Sequence, residues 1–210
     1  MDILIGTKNQ YKVTEIVSLL GNLPRVKIHF WEELGLEIKV KENQLTLKKN
    51  AEKKAIEISK LTDWYVLASD GGVDIPGLGK KWNILRSQRI VGENKTDLEK
   101  AEKLLKLMKD LKGKQRKVSY RLALALARKG TLVWSTEQVI DKGLITEELS
   151  DREIPHYRWI GHLWYYPQHQ KVFNKLNEKE KNEVRKQGTG IKRSLRKIIT
   201  DISKIQTQSV

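Results

Sequence analysis

Ile3-Leu4-Ile5 runs directly into Gly6-Thr7-Lys8-Asn9-Gln10-Tyr11-Lys12, and this opening stretch decides how the chain is read. Three apolar residues ahead of a polar turn read as a short buried strand. Beyond the turn, Val13, Ile16, Val17 and Leu20 recur at i, i+3, i+4 and i+7, which is one face of a helix. Gly21 stands where such a helix ends. Strand, polar turn and helix in that order present backbone N–H groups, and here Lys12, to an anion. Thr7 and Asn9 serve equally as ordinary helix caps.

Working outward, Val26-Lys27-Ile28-His29-Phe30 alternates as a strand, and a helix is expected over 50–61 with Ala51, Ala55 and Ile58 on one side. Val66-Leu67-Ala68 reads as a short buried strand ended by Asp70-Gly71-Gly72, residues that form turns. Thr96-Asp97-Leu98-Glu99 is a capping box, opening a helix with Leu98, Ala101, Leu105 and Met108 inward. Val118, Tyr120, Leu122, Leu124 and Leu126 alternate with Ser119, Arg121, Ala123 and Ala125. A second long strand is expected over 132–140, with Arg128-Lys129-Gly130 as the turn of an antiparallel hairpin. The last segment is helical, with Ile191, Leu195, Ile198 and Ile202 on one stripe. Strands and helices mix throughout, so the expected class is α/β with a central mixed sheet of long strands flanked by helices.

The 210 residues suffice for one sizeable core, and 39% hydrophobic content with six Trp and six Tyr fits a folded protein. Zero cysteines exclude disulfides and thiolate chemistry. With no signal-peptide plan and no apolar run of membrane-spanning length, the expected location is the cytoplasm, with no membrane partner. The net charge of +15, from 41 Lys and Arg against 26 Asp and Glu, favours a polyanionic partner. Much of it lies beside glutamates on helix faces, as in Glu99-Lys100-Ala101-Glu102-Lys103, where it solvates the helix. No nucleic-acid motif is present, which disfavours nucleic acid as that partner. The four histidines, His29, His156, His162 and His169, lack close metal-ligand spacing. There is no Walker A pattern and no nucleophile elbow.

Thr7-x-Asn9-x-x-Lys12 after a first strand resembles the opening of the inosine triphosphate pyrophosphatase (ITPase) family, enzymes that remove deaminated purine nucleoside triphosphates. The resemblance continues in order. Asn50-Ala51-x-x-Lys54-Ala55 matches a family Glu-Asn-Ala-x-x-Lys-Ala, with Lys49 replacing a glutamate that helps to hold Mg²⁺. Leu67-Ala68-Ser69-Asp70-Gly71-Gly72-Val73 matches paired aspartates before Ser-Gly-Leu, with Asp70 kept and Ser69 replacing the first aspartate. Ser87-Gln88-Arg89 lies where the family has Ser-Ala-Arg. Gly161-His162-Leu163-Trp164-Tyr165-Tyr166-Pro167 aligns with a Gly-Gly-Phe-Gly-Tyr-Asp-Pro loop that holds the base, and Tyr166 replaces its aspartate. Lys171, Leu176, Glu180, Lys181 and Gly188 follow in register, while Arg185-Lys186-Gln187 replaces the Ser-His-Arg that reads the purine.

The resemblance implies one ITPase-like domain over 1–210, with two lobes around a nucleotide cleft, and a homodimer. It implies phosphate contacts from Thr7, Asn9, Lys12, Lys49 and Lys54, with Arg89 and Lys181 near the nucleotide. Trp164 or Tyr165 stacks on the base in that reading, and Asp70 is the catalytic and metal-binding carboxylate. On the residues alone, Arg89 is equally a surface arginine, and the aromatic trio is equally core. Gly188-Thr189-Gly190 before Ile191-Lys192-Arg193 is an anion-binding helix start or a flexible turn.

The departures carry a physical expectation. Mg²⁺ prefers hard oxygen ligands, so loss of two carboxylates and gain of the Lys49 ammonium predict weak or absent Mg²⁺ binding. Glu52, one turn from Lys49, and Asp74, four residues past Asp70, are the compensating carboxylates. The leading expectation is a binder of ITP, dITP or XTP with hydrolysis impaired or lost, acting as a sensor or regulatory subunit through an effector protein. The alternative is an active pyrophosphatase of the same nucleotides.

Overall fold

The computed structural model describes residues 1–35, 40–149 and 159–208; His156 lies outside the described residues. Strand β1 (Asp2–Ile5) leads to helix α1 (Gln10–Leu20), then β2 (Lys27–His29), α2 (Leu47–Ser59) and β3 (Tyr65–Asp74). Helices α3 (Ser87–Val91) and α4 (Asp97–Leu107) precede the long strands β4 (Lys117–Arg128) and β5 (Thr131–Ile145). Short strands β6 (Trp164–Tyr166) and β7 (Lys171–Val172) and helices α5 (Glu178–Arg185) and α6 (Thr189–Gln208) complete the order.

The strands form one mixed seven-stranded sheet in the order β2-β1-β3-β4-β5-β6-β7. β1 pairs parallel with β2 and with β3, while β6 pairs antiparallel with β5 and with β7. Lys129 and Gly130 join β4 to β5 with φ of 50° and 77°. Two positive φ values in a two-residue loop match the twist of an antiparallel hairpin. The alternation read from 118–126 marks a strand, yet 122–127 are buried without a break. That is the burial of a central strand covered on both faces.

Two compact units divide the chain. The first comprises Met1–Gly71, Leu122–Gln138 and Thr189–Val210, and the second Gly72–Arg121 and Val139–Gly188. In the first, Ile3, Leu4 and Ile5 are fully buried, as are Ile16 and Leu20 of α1, Ala51 and Ala55 of α2, and Ile191, Leu195 and Ile199 of α6. The stripe on α6 thus runs through Ile199, with Ile198 and Ile202 half-buried beside it. In the second unit, Ala101, Leu104 and Met108 of α4 pack with Val118, Ile145, Leu163, Trp164 and Tyr166. Leu104 holds the central position, and Leu98 and Leu105 flank it half-buried. The Thr96–Glu99 capping box is present, with both reciprocal hydrogen bonds.

Buried Arg116 fastens the second unit. Its guanidinium donates to the carbonyls of Met108, Leu111, Ile145 and Thr146, tying the end of α4 to the end of β5. Burial pushes its pKa down, opposed by the charge of Glu147.

One expectation is corrected here. Asp70-Gly71-Gly72 is no turn, because β3 runs extended through it to Asp74. A Cβ at Gly72 would stand 2.6 Å from both the side chain and the carbonyl oxygen of Ile84. Glycine at that place admits a close crossing segment and does not bend the strand. No helix among the described residues is long and apolar enough to cross a membrane.

Candidate functional site

The first unit gathers its charged side chains at the end of β1. Gly6 N–H donates to Leu67 O at 2.9 Å, extending the β1–β3 pairing into the turn. A Cβ on Gly6 would lie 3.0 Å from Val66 and 3.2 Å from Ala68, so the turn hugs β3. Asn9 caps α1, its Oδ1 accepting the N–H of Tyr11 at 3.0 Å and of Lys12 at 3.3 Å. Thr7 Oγ1 accepts the N–H of Asn9 at 3.2 Å. Both residues therefore shape the turn, and Lys12 leaves the first turn of α1 toward β3.

There it meets Asp70. The Asp70 side chain is only 7% exposed, and its Oδ1 lies 3.4 Å from Lys12 Nζ and 3.9 Å from Lys54 Nζ. Asn50 Nδ2 donates to Oδ2 at 3.1 Å, and the N–H of Gly71 donates to Oδ1 at 3.0 Å. Asn50 is itself held, since its Oδ1 accepts the N–H of Gln44 at 2.9 Å. Asn50 and Lys54 are one turn apart on α2, so both reach the same flank. Thr46 starts that helix by accepting the N–H of Lys49, four residues ahead of the expected start at 50.

Glu42 is the member that sequence reasoning missed. Its Oε1 lies 2.6 Å from Lys54 Nζ, so Lys54 stands between two carboxylates. Glu42 lies in a polar arm without periodicity, where nothing in the sequence distinguishes it. Burial pushes the Lys54 ammonium down, and the Lys12 charge adds to this, while Asp70 and Glu42 oppose it. Glu15, one turn beyond Lys12, is pushed up to about 7 by burial, against the attraction of Lys12.

Lys49 is placed elsewhere. Its side chain is 64% exposed and pairs with Glu52 Oε2 at 2.8 Å. Glu52 is buried and its Oε1 accepts the hydroxyl of Ser135 on β5 at 2.8 Å. Burial works to raise the Glu52 carboxyl, but the bonds from Lys49 and Ser135 outweigh it and hold the pKa low. Glu52 thus serves a contact with β5, on a different flank of α2 from Asn50 and Lys54. Ser69 is fully buried, and its Oγ has no hydrogen-bond partner among the described residues.

The remaining predicted site residues belong to the second unit. Arg89 is 67% exposed and faces Glu93 at 3.9 Å. Lys181 Nζ donates to Glu178 Oε1 at 2.7 Å. Trp164 is buried in the core of this unit, and Tyr165, half-buried, pairs across the sheet with Leu144 and Val172. Tyr166 donates its hydroxyl to Asp141 Oδ2 at 2.6 Å, so a carboxylate from β5 stands beside the residue that replaces the loop aspartate. Asp74, at the end of β3, also falls in this unit.

In the first unit, then, two ammonium groups, two carboxylates and an amide converge beside a helix start, an arrangement suited to a chain of phosphates. Among the described residues no group of three or more His, Cys, Asp or Glu is placed to hold a metal ion.

Comparison with known proteins follows the same line. Residues 3–197 match the profile of the Ham1 family. A dITP/XTP pyrophosphatase of Clostridium perfringens is 30% identical over 197 residues, covering 90% of this chain and 93% of that one. One from Bacillus licheniformis is 34% identical over 148 residues, covering 70% and 74%. Among solved structures, a HAM1 protein from Coxiella burnetii superposes with a TM-score of 0.77 at 25% identity, covering 96% of this chain and 99% of that one.

Proposed function

The chain belongs to the Ham1 family, and we propose that it is an active pyrophosphatase of deaminated purine nucleoside triphosphates, converting dITP and XTP to the monophosphate and pyrophosphate. The observation that carries the proposal is the buried Asp70 carboxylate, oriented by Asn50 and Gly71 between Lys12 and Lys54. The two relatives named above are each called dITP/XTP pyrophosphatase, which supports turnover over silent binding.

The expectation of impaired hydrolysis rested on Lys49 and Ser69. Lys49 is exposed and neutralised by Glu52, which removes the supposed repulsion from the neighbourhood of Asp70. Glu42 supplies a second carboxylate on the far side of Lys54 Nζ. Mg²⁺ commonly takes one or two carboxylates and completes its shell with phosphate oxygens and water, so Asp70 alone would hold it, the Lys54 ammonium standing between Asp70 and Glu42. Bound there, Mg²⁺ supplies polarisation of the phosphoryl oxygens and neutralises their charge.

In this mechanism Lys12 and Lys54 bind the triphosphate, exchanging their pairs with Asp70 and Glu42 for phosphate oxygens. Asp70, released from those ammonium groups and still held by Asn50, accepts a proton from the attacking water. Water adds at phosphorus, the bond between the α and β phosphates breaks, and pyrophosphate leaves. Contacts of Thr7, Asn9, Arg89, Trp164, Tyr165 and Lys181 with the nucleotide belong to the proposal on the resemblance alone. A single domain and a homodimer go with it on the same ground, with a cytoplasmic location as read from the sequence.

Pyrophosphate release from dITP, XTP and dATP with Mg²⁺ tests the proposal. Turnover of dITP and XTP in preference to dATP is expected. Equal rates for all three overturn the substrate assignment, and no release from any returns the chain to a binding role.

A further inference from the structure

Helix α1 carries two cationic features, one at each end. Its N-terminal end bears the phosphate-facing turn; its C-terminal end is held by α6, where Arg196 donates to the carbonyls of Leu20 and Asn22. Gly21 permits this contact, since its φ is 57° and a Cβ would stand 2.9 Å from the Arg196 guanidinium. Eleven residues of α1 separate the two ends by about 16 Å.

A cavity of about 530 Å³ opens along α6, lined by Leu23, Lys192, Arg193, Arg196, Lys197 and Asp201 together with two threonines. A smaller one of about 170 Å³ adjoins it and shares Leu23 and Thr200; Pro24, Val26 and Ile199 make it mainly apolar, with Arg25 and Lys204 beside them. The opposite face of the helix, Ile191, Leu195 and Ile199, is fully buried, so the orientation of the basic face is set by packing. From Thr189 to Lys204 the groove follows α6 for about 22 Å. Lys197 pairs with Asp201 at 2.8 Å, and Arg196 is engaged with α1. Among the described residues neither Lys192 nor Arg193 has a carboxylate partner, and both are exposed.

We propose that this groove binds the phosphodiester backbone of duplex nucleic acid, at a site separate from the one that holds the nucleotide. Three features favour that occupant. The cations repeat along a helix with one carboxylate among them, as a polymer of regularly spaced phosphates requires. The larger cavity is open to solvent, whereas a small ligand needs walls that cover most of its surface. No aromatic side chain lines it, which removes the stacking platform that single-strand binders use and leaves the backbone as the feature recognised. The sequence disfavoured nucleic acid for want of a motif; backbone binding of this kind needs charge on one face and no motif.

The test is titration of the whole protein against a fluorescent DNA duplex of mixed sequence at several salt concentrations. Lys192→Glu with Arg193→Glu is compared with a control of equal charge change, Lys103→Glu with Lys106→Glu on exposed positions of α4. The groove variant is expected to weaken binding at least tenfold and to lower the slope of log affinity against log salt by about 2, with dITP turnover unchanged. The control is expected to keep the slope. Equal weakening by both pairs, or no binding by the native chain at low salt, overturns the proposal. So does displacement of the duplex by excess dITP, which assigns the contact to the nucleotide site, or equal displacement by polyglutamate, which assigns it to acidic surfaces in general.

Discussion

The surroundings of Asp70 in the first unit and those of Tyr166 in the second solve the same problem, a buried polar group, in opposite ways. Asp70 is fully answered: both oxygens are engaged, by an amide, a backbone N–H and two ammonium groups drawn from α1, α2 and β3. Around Tyr166 the answers are partial. Asp141 Oδ1 and Trp164 Nε1 are buried without partners among the described residues. Burial pushes the Asp141 carboxyl up to about 6, against the hydrogen bond from Tyr166. A buried unpaired group costs stability, whereas a paired charge poised to exchange its partners for a substrate can be used. The first region has the charge to hold phosphate in the proposed reaction, and the second is an apolar core into which polar groups have been fitted.

That contrast can be broken most sharply at Asp70. Asp70→Asn retains the shape but removes the proton acceptor, and kcat is expected to fall by roughly 10²- to 10⁴-fold, read as pyrophosphate release. An unchanged kcat would remove Asp70 from the chemistry. Lys54→Met deletes the proposed charged contact to phosphate, and KM for dITP is expected to rise roughly 10- to 100-fold. A fall in kcat alone at unchanged KM would place Lys54 in the chemical step instead.

In the second unit the expected response is stability, not rate. The folded chain raises the Asp141 pKa from 3.8 to about 6, so its protonated form is the one the fold prefers. Its contribution is complete below pH 3.8 and is lost as pH rises through about 6. Asp141→Asn mimics the neutral form, keeps an acceptor for Tyr166, and is expected to gain up to about 3 kcal/mol at pH 7 to 8. The gain should shrink toward pH 4, with kcat unmoved; thermal melts across that range read it, and a gain independent of pH would contradict the assignment. The smallest effect belongs to Lys49. Lys49→Ala removes an exposed partner of Glu52 and should change kcat/KM by less than about threefold. A larger rise would mean that its charge had been opposing the metal.

Much of the first unit was legible because its signals are local. The apolar triplet, the i, i+3, i+4, i+7 spacing and the Asn9 cap are all decided within one turn of chain, and β1 and α1 stand where they were expected. Lys12, Lys54 and Asp70 were named from their order, and the fold brings them together. Glu42 was not legible, because only tertiary folding carries the arm beside Lys54. Lys49 was named because it stands at the family's glutamate position, and the fold turns its side chain to Glu52 and solvent. One residue is about 100° of helix, enough to turn a side chain from the site to solvent. Asp70-Gly71-Gly72 read as a turn because propensity cannot see that Ile84 crosses Gly72. The aromatic run of 164–166 carried two meanings, a platform for the base or core; Trp164 and Tyr166 are buried and Tyr165 is half-buried.

In the proposed reaction the surroundings of Asp70 cut what they bind. Equilibrium dialysis of the protein against dITP with Mg²⁺, followed by chromatography of the nucleotide on both sides, tests it directly. Accumulation of the monophosphate and pyrophosphate is the predicted result. Intact dITP enriched on the protein side would contradict it, and would mean that Lys12, Lys54 and Asp70 form a receptor for the triphosphate and not a catalyst.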